Sequence, residues 1–290
     1  MTESRSKTGL PKPPWLKVKA CGNSRYLEVQ SLLQKHHLHT VCQEANCPNR
    51  GECFSSGTAT FLILGPNCTR NCTFCNVIHG PVSGIDADEP GHVARTVEIL
   101  NLNYAVVTSV TRDDLPDGGA GQFAAVIGAI RRLARPVEIE VLTPDFEGRK
   151  NDLMTVFEAG PDVFNHNVET VPRLYDEVRP EADYERSLEV LRFASDYRRI
   201  SVKSGLMVGL GETTEELQEV FNDLKKAGVQ FLTIGQYLAP SKSHHPVIRY
   251  YHPAEFDRLA LDARKAGIDH VFSGPLVRSS YHAREQFRAK

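Results

Sequence analysis

The sequence predicts an α/β fold, a partial (βα)6 TIM-like barrel in which six parallel strands share one sheet. Two observations predict it. From Thr60 onward, short apolar runs alternate with amphipathic stretches of helical period, at a repeat of about 26 to 44 residues. Strands joined through helices run parallel, because each helix returns the chain to the end where the last strand began. The turn after the first run also lacks the G-x-G-x-x-G of a doubly wound dinucleotide-binding sheet and carries cysteines instead.

Taken in order, residues 1–30 are rich in Pro and Lys, and PKPPWLKVK holds the only tryptophan. Trp15 and Leu16 are large apolar groups, so this segment is expected to be an extended arm docked on the domain. Cys21 stands alone in it and reads as a bystander thiol. VCQEANCPNRGECF then spaces Cys42, Cys47 and Cys53 as C-x4-C-x5-C among Pro, Asn and Gly. Loop composition lets three thiolates converge. They read as a three-thiolate iron–sulfur site, or as a zinc site completed by Cys21 or by His36, His37 or His39.

The expected strands are residues 60–65, 104–110, 137–142, 163–168, 201–208 and 231–237, each a short apolar run bounded by turn residues. Among the helices between them, TTEELQEVFNDLKKAG is the clearest. Its Leu217, Val220, Phe221 and Leu224 repeat at i, i+3, i+4 and i+7, Thr213 or Thr214 can cap it, and Gly228 ends it. The loop leaving the first strand carries Cys68, Cys72 and Cys75 as C-x3-C-x2-C. Three thiolates so close can hold three irons of a [4Fe–4S] cubane, leaving the fourth iron open to a small molecule. The alternatives are a disulfide pair or a zinc knuckle, but zinc wants a second ligand pair that the next residues do not supply.

In a barrel of parallel strands the active site lies at the C-terminal strand ends, where this loop sits. Other polar clusters fall at the same ends. TSVTRDDLPDGGAG brings Thr108, Ser109, Arg112, Asp113 and Asp114 with Gly118, Gly119 and Gly121. FNHNVET brings Asn165, Asn167 and Glu169, and KSGLMVGLGE runs from Lys203 through the fifth strand. The C-terminal SGPLVRSSYHAREQF reads as a turn and short helix with a serine cap. Alternatively a serine oxygen of this segment is the fourth ligand of the second site, a hard donor on iron and so more displaceable than a thiolate.

The 290 residues, 41% hydrophobic and 24% charged, allow a sizeable core. No stretch approaches the ~18 apolar residues of a membrane span, and MTESRSKTGLPKPPW has no apolar signal core. A cytoplasmic location with no membrane partner is expected. There a clustered, odd set of seven cysteines binds metal more readily than it forms disulfides. A nucleic-acid partner is not expected, since there is no basic helix, Arg-Gly repeat or stacking strand pair. Net charge is −2, yet both ends are basic. They read as solvated tails or as a rim for an acidic partner.

The succession C-x4-C-x5-C, C-x3-C-x2-C and R-S-S-Y-x-A resembles the lipoyl synthase family of the radical S-adenosylmethionine (SAM) superfamily. The resemblance extends from PPWLK through VTSVTRDDLPDGGA and NHNVET to GPLVRSSYHA. It implies two [4Fe–4S] clusters, one on Cys68, Cys72 and Cys75 that cleaves SAM to methionine and a 5′-deoxyadenosyl radical, and an auxiliary one on Cys42, Cys47, Cys53 and Ser280. Asn167, Glu169 and Lys203 lie where the superfamily contacts SAM. The implied reaction inserts sulfur at C6 and C8 of an octanoyl chain on a lysine of a lipoyl carrier protein or lipoyl domain, with electrons from a reducing protein such as ferredoxin or flavodoxin. An acidic carrier would give the basic ends a purpose. On this reading residues 1–59 are the arm and auxiliary-cluster loop, 60–275 the barrel, and 276–290 the segment supplying the serine. Two rivals are another radical SAM enzyme whose auxiliary cluster transfers electrons, and a non-catalytic iron–sulfur electron carrier.

Overall fold

In a computed structural model the described residues are 10–18 and 22–288; Cys21 and Lys19 lie outside them. An eight-stranded sheet runs β1 (His39–Thr40), β2 (Thr60–Ile63), β5 (Tyr104–Ser109), β6 (Glu138–Leu142), β7 (Val163–Asn165), β8 (Ser201–Val208), β9 (Phe231–Gln236) and β10 (His270–Gly274). Every pairing is parallel except β1 on β2. A two-stranded ladder, β3 (Asn67–Cys68) with β4 (Ile78–His79), brackets the first cysteine loop. The six crossovers carry α4 (Glu89–Ile99), α5 (Ala120–Arg131), α6 (Lys150–Glu158), α8 (Tyr184–Asp196), α9 (Thr214–Lys226) and α10 (Pro253–Lys265), with the short α7 (Tyr175–Val178) before α8. The six expected strands and the partial barrel are present, and β10 adds a seventh parallel strand.

Alternation along β5 separates two apolar regions. Ala105 and Val107 join the main core with Val93 and Val97 of α4 and Phe123 and Ile127 of α5. Tyr104 and Val106 face the other way, onto Ala283 and Phe287 of the C-terminal helix α11 (Ala283–Arg288). The Phe287 ring lies 6.0 Å from Tyr104 and 6.3 Å from Phe231 at the starts of β5 and β9. The C-terminal helix therefore plugs the barrel lumen at the end opposite the strand-end loops. Within the crossovers, α9 starts in a capping box of Thr213 and Glu216 and buries Leu217, Val220, Phe221 and Leu224.

Two expectations are corrected. The arm is not extended throughout: α1 (Ser24–Lys35) forms because Asn23 accepts from Tyr26 N–H at 2.9 Å, and Val29 and Leu33 are buried. Leu16 docks and is buried, while Trp15 stays 37% exposed with its ring edge-on to His252 at 5.0 Å. The second cysteine segment is partly helical rather than loop, in α2 (Val41–Glu44) and α3 (Arg50–Ser55), because Thr40 caps the first by accepting from Gln43 N–H. Among the described residues no helix is long and apolar enough to cross a membrane.

Candidate functional site

The Cys68–Cys75 loop is tied to the strand ends by groups from several elements. Arg70, between the cysteines, donates to Asp113 after β5 at 2.7 and 3.0 Å and to Asp145 after β6 at 2.7 and 3.1 Å. Both Arg70 and Asp145 are buried, at 7% and 1% exposed. Burial alone would raise the Asp145 carboxyl, but the Arg70 guanidinium holds it well below the usual carboxylate range. Thr69 N–H donates to Thr111 O at 3.0 Å, Thr73 N–H to Val178 O at 3.0 Å, and His245 N–H to Thr73 O at 2.9 Å. Thr111 N–H points at Cys68 Sγ at 3.3 Å, an amide donor on a sulfur. These contacts tie the loop to the segments that follow β5, β6 and β9 and to the end of α7.

Backbone strain supports the same region. Leu64, which follows β2, has φ 70. The conformation is held because the buried Glu89 carboxylate accepts its N–H at 3.2 and 3.1 Å and Arg112 donates to its carbonyl at 3.3 Å. Gly119, at φ 91, lies where a Cβ would come within 2.3 Å of Leu64 Cδ1. Gly119 thus makes room for the strained turn that launches the cysteine loop.

The second triad lies alongside. Asn76 Nδ2 of the first loop donates to Glu44 O of α2 at 2.7 Å. Asn49 Nδ2 donates to Leu276 O at 2.7 Å, and Tyr281 OH to Glu52 at 3.0 Å, so the C-terminal segment is fastened to the second cysteine segment. A cavity of about 520 Å³ opens there, with Cys47, Cys53, Arg278, Ser280 and Tyr281 in its wall. Two histidines of the zinc alternative have other partners: His39 Nδ1 lies 3.1 Å from Glu44, and the His36 ring packs near His92.

Cys42, Cys47, Cys53, Cys68, Cys72 and Cys75 are free thiols. Burial pushes Cys42 up to about 11 and Cys53 and Cys75 up to about 12, and neighbouring thiols add to each rise. Ionised sulfur here needs a cation beside it, and a coordinating metal deprotonates a thiol outright. Among the described residues no three His, Cys, Asp or Glu side chains are gathered for one metal ion. Two sets of three free thiols are a donor type that iron–sulfur clusters use.

Asn167 and Glu169 lie together after β7: Asn167 Nδ2 donates to Glu169 Oε1 at 3.0 Å and to Ser279 Oγ at 2.7 Å. Burial raises the Glu169 carboxyl, with Arg179 opposing. Asn167 Oδ1 and Arg179 Nε are buried with no hydrogen-bond partner, polar atoms left for a ligand carrying amino and carboxylate groups. Lys203 shares Ser279 with Asn167. It enters the lumen, where its Nζ donates to Glu140 Oε1 at 2.9 Å and to Ser279 O at 2.6 Å.

Sequence reasoning missed Arg70, Asp145, Glu140 and Arg179. The strand-end rule applied to TPDFEG after β6 would have found Asp145, and a charged residue between two ligand cysteines could have marked Arg70. Nothing local marks Glu140, which reads as part of an apolar strand.

A family model described as the radical SAM superfamily matches residues 62–224. Curated relatives named lipoyl synthase include one from Caldicellulosiruptor saccharolyticus, 57% identical over 94% of this chain and 96% of its own length. Another, from Acidovorax ebreus, is 52% identical over 97% and 87%. Among solved structures, the FeFe-hydrogenase maturase HydG from Carboxydothermus hydrogenoformans superposes with a TM-score of 0.58 at 16% identity, over 78% of this chain and 55% of that one. Methylornithine synthase superposes at 0.53 and 14% identity, over 82% and 73%. These two show the fold.

Proposed function

The chain belongs to the lipoyl synthase family of the radical SAM superfamily, and from that premise we propose that it inserts two sulfur atoms, at C6 and C8, into an octanoyl chain on a lysine of a lipoyl carrier protein or lipoyl domain. Membership makes it an enzyme using a [4Fe–4S] cluster and SAM. The finer proposal is that an auxiliary [4Fe–4S] cluster is the sulfur source. When bound, the first cluster and SAM supply one-electron chemistry able to remove hydrogen from unactivated C–H bonds, which offer acid–base catalysis nothing to act on.

This chain's residues have the remaining tasks. Cys68, Cys72 and Cys75 hold the first cluster, and Arg70 with Asp113 and Asp145 keeps their loop seated. Asn167 and Glu169 recognise the polar end of SAM. Cys42, Cys47, Cys53 and Ser280 would hold the auxiliary cluster, which when bound would supply the sulfur, the serine oxygen being a harder and more displaceable ligand than thiolate. Ser280 sharing one cavity wall with Cys47 and Cys53 is the observation that carries this reading. A ferredoxin or flavodoxin supplies electrons.

Incubating the anaerobically reconstituted protein with SAM, a reductant and an octanoyl-lysine peptide should yield the doubly thiolated peptide by mass spectrometry. Iron should be about eight per chain, and changing Cys68, Cys72 and Cys75 to alanine should remove about four together with 5′-deoxyadenosine formation. Deoxyadenosine from that triple variant, or deoxyadenosine without thiolated peptide from the unmodified sequence, sinks the proposal.

A further inference from the structure

The C-terminal segment is gripped at one residue from two sides. Lys203 Nζ, 2.6 Å from Ser279 O, is only 2% exposed, and its counter-ion Glu140, 2.9 Å away, is 1% exposed. Glu140 also accepts from Tyr104 OH at 2.7 Å and from Asn165 Nδ2 at 3.1 Å. Neutralising the carboxylate would need only the ion pair, yet a second ammonium proton goes to a main-chain carbonyl far along the chain. From the strand-end side, Asn167 Nδ2 donates to the Ser279 hydroxyl at 2.7 Å and shares that amide with Glu169. Backbone and side chain of one residue are therefore held by separate strands.

The lumen is shaped for this segment. A Cβ on Gly235 would come within 2.2 Å of Val277 O, and one on Gly205 within 2.8 Å of Asn167 Oδ1 and 3.1 Å of Ser279 Oγ. A slip of one residue would strand a proton of a buried ammonium and the Asn167 donor together. The next residue, Ser280, lies in the cavity of Cys47 and Cys53.

We infer that Lys203 is a positioning residue: with Asn167 it clamps Ser279 and so sets the register in which Ser280 is presented to the second cysteine triad. This rests on the reading of Ser280 as an auxiliary-cluster ligand. It gives Lys203 a different task from the SAM contact that the superfamily resemblance implies. Ser279, chemically identical to its neighbour, becomes the hinge pin that keeps the two serines from exchanging places. It also links Glu169 and Asn167 on the SAM side to the auxiliary side through one residue.

The test compares Ser280→Ala, Lys203→Met and the pair Glu140→Gln with Lys203→Met, the last removing both charges in case a lone buried carboxylate unfolds the single variant. In a background with Cys68, Cys72 and Cys75 changed to alanine, only the auxiliary cluster remains, and its Mössbauer and electron-spin signatures are recorded. Both Lys203 variants should reproduce the altered signature of Ser280→Ala. In the metal-free protein, amide hydrogen exchange over residues 276–288 should accelerate about tenfold or more, while β6 and β8 stay protected. With all cysteines present, the KM for SAM should hold within about twofold while deoxyadenosine formed per thiolated product rises about tenfold. If Ser280→Ala alters the signature but the Lys203 variants keep the native one and slow exchange, the clamp is wrong and the ligand reading stands. If Ser280→Ala leaves the signature untouched, the ligand reading falls and the clamp with it. A raised KM for SAM with coupling intact would return Lys203 to the SAM site and overturn the inference.

Discussion

Arg70 shows how a single side chain sets the geometry of the first cysteine loop. Its guanidinium meets two carboxylates from different strand ends in a buried site, where ion pairs are costly to break because the abandoned partner stays desolvated. Asp145→Asn should therefore lower stability by about 3 kcal/mol at pH 7, read as a drop in the urea midpoint. The pH dependence follows from the depressed Asp145 carboxyl. Its contribution is fully present above the ordinary aspartate value of about 4 and is lost as pH falls through the lower folded-state value. The variant should accordingly lose less stability than the parent on acidification from pH 5 to 3. Parallel acid curves would show that the pair does not anchor the loop. The two cysteine spacings were legible in the sequence because each spans only a few consecutive residues. Arg70 was not, because its partners lie 43 and 75 residues away.

At the scale of elements, the turn from β2 into the cysteine loop depends on α5 being led by glycine. Gly119→Ala would put a methyl within 2.3 Å of Leu64 Cδ1 at a φ of 91 that alanine resists. We expect a loss of about 2 to 3 kcal/mol and weaker retention of iron by Cys68, Cys72 and Cys75. Gly121→Ala, two residues further along and 3.0 Å from the Asp117 carboxylate end, should cost under about 1 kcal/mol. Equal melting temperatures for the two would show that Leu64 can move aside. The helix over 214–226 was fully readable because its cap, period and stop are local. The strand β10 was not: His270–Gly274 is short, and of its residues only Val271 is buried.

At the scale of the whole molecule, the termini meet the barrel differently from its crossovers. Lys12 and Lys17 are exposed in the arm, Arg284 is half-buried, and Arg288 is exposed 3.7 Å from Glu138. Neutralising these four should slow association with an acidic carrier protein and flatten its dependence on salt, because exposed charges act over a Debye length of about 8 Å. A short octanoylated peptide should lose much less. Equal losses on carrier and peptide would reduce the basic ends to solubilising charge.

The sequence alone determined what depends on neighbours along the chain: the two cysteine spacings, the alternation of strand and helix, the amphipathic period of α9, and the terminal R-S-S-Y that marks the family. Local chemistry suffices there, because periodicity and ligand spacing are properties of a few consecutive residues. Only the tertiary structure decided that Lys203 faces Glu140 and the Ser279 carbonyl, that Arg70 is pinned by Asp113 and Asp145, and that the last helix plugs the lumen. Those depend on which strand ends become neighbours once the sheet curls, and on burial, which turns a charged residue into one that must find a partner wherever the fold supplies it.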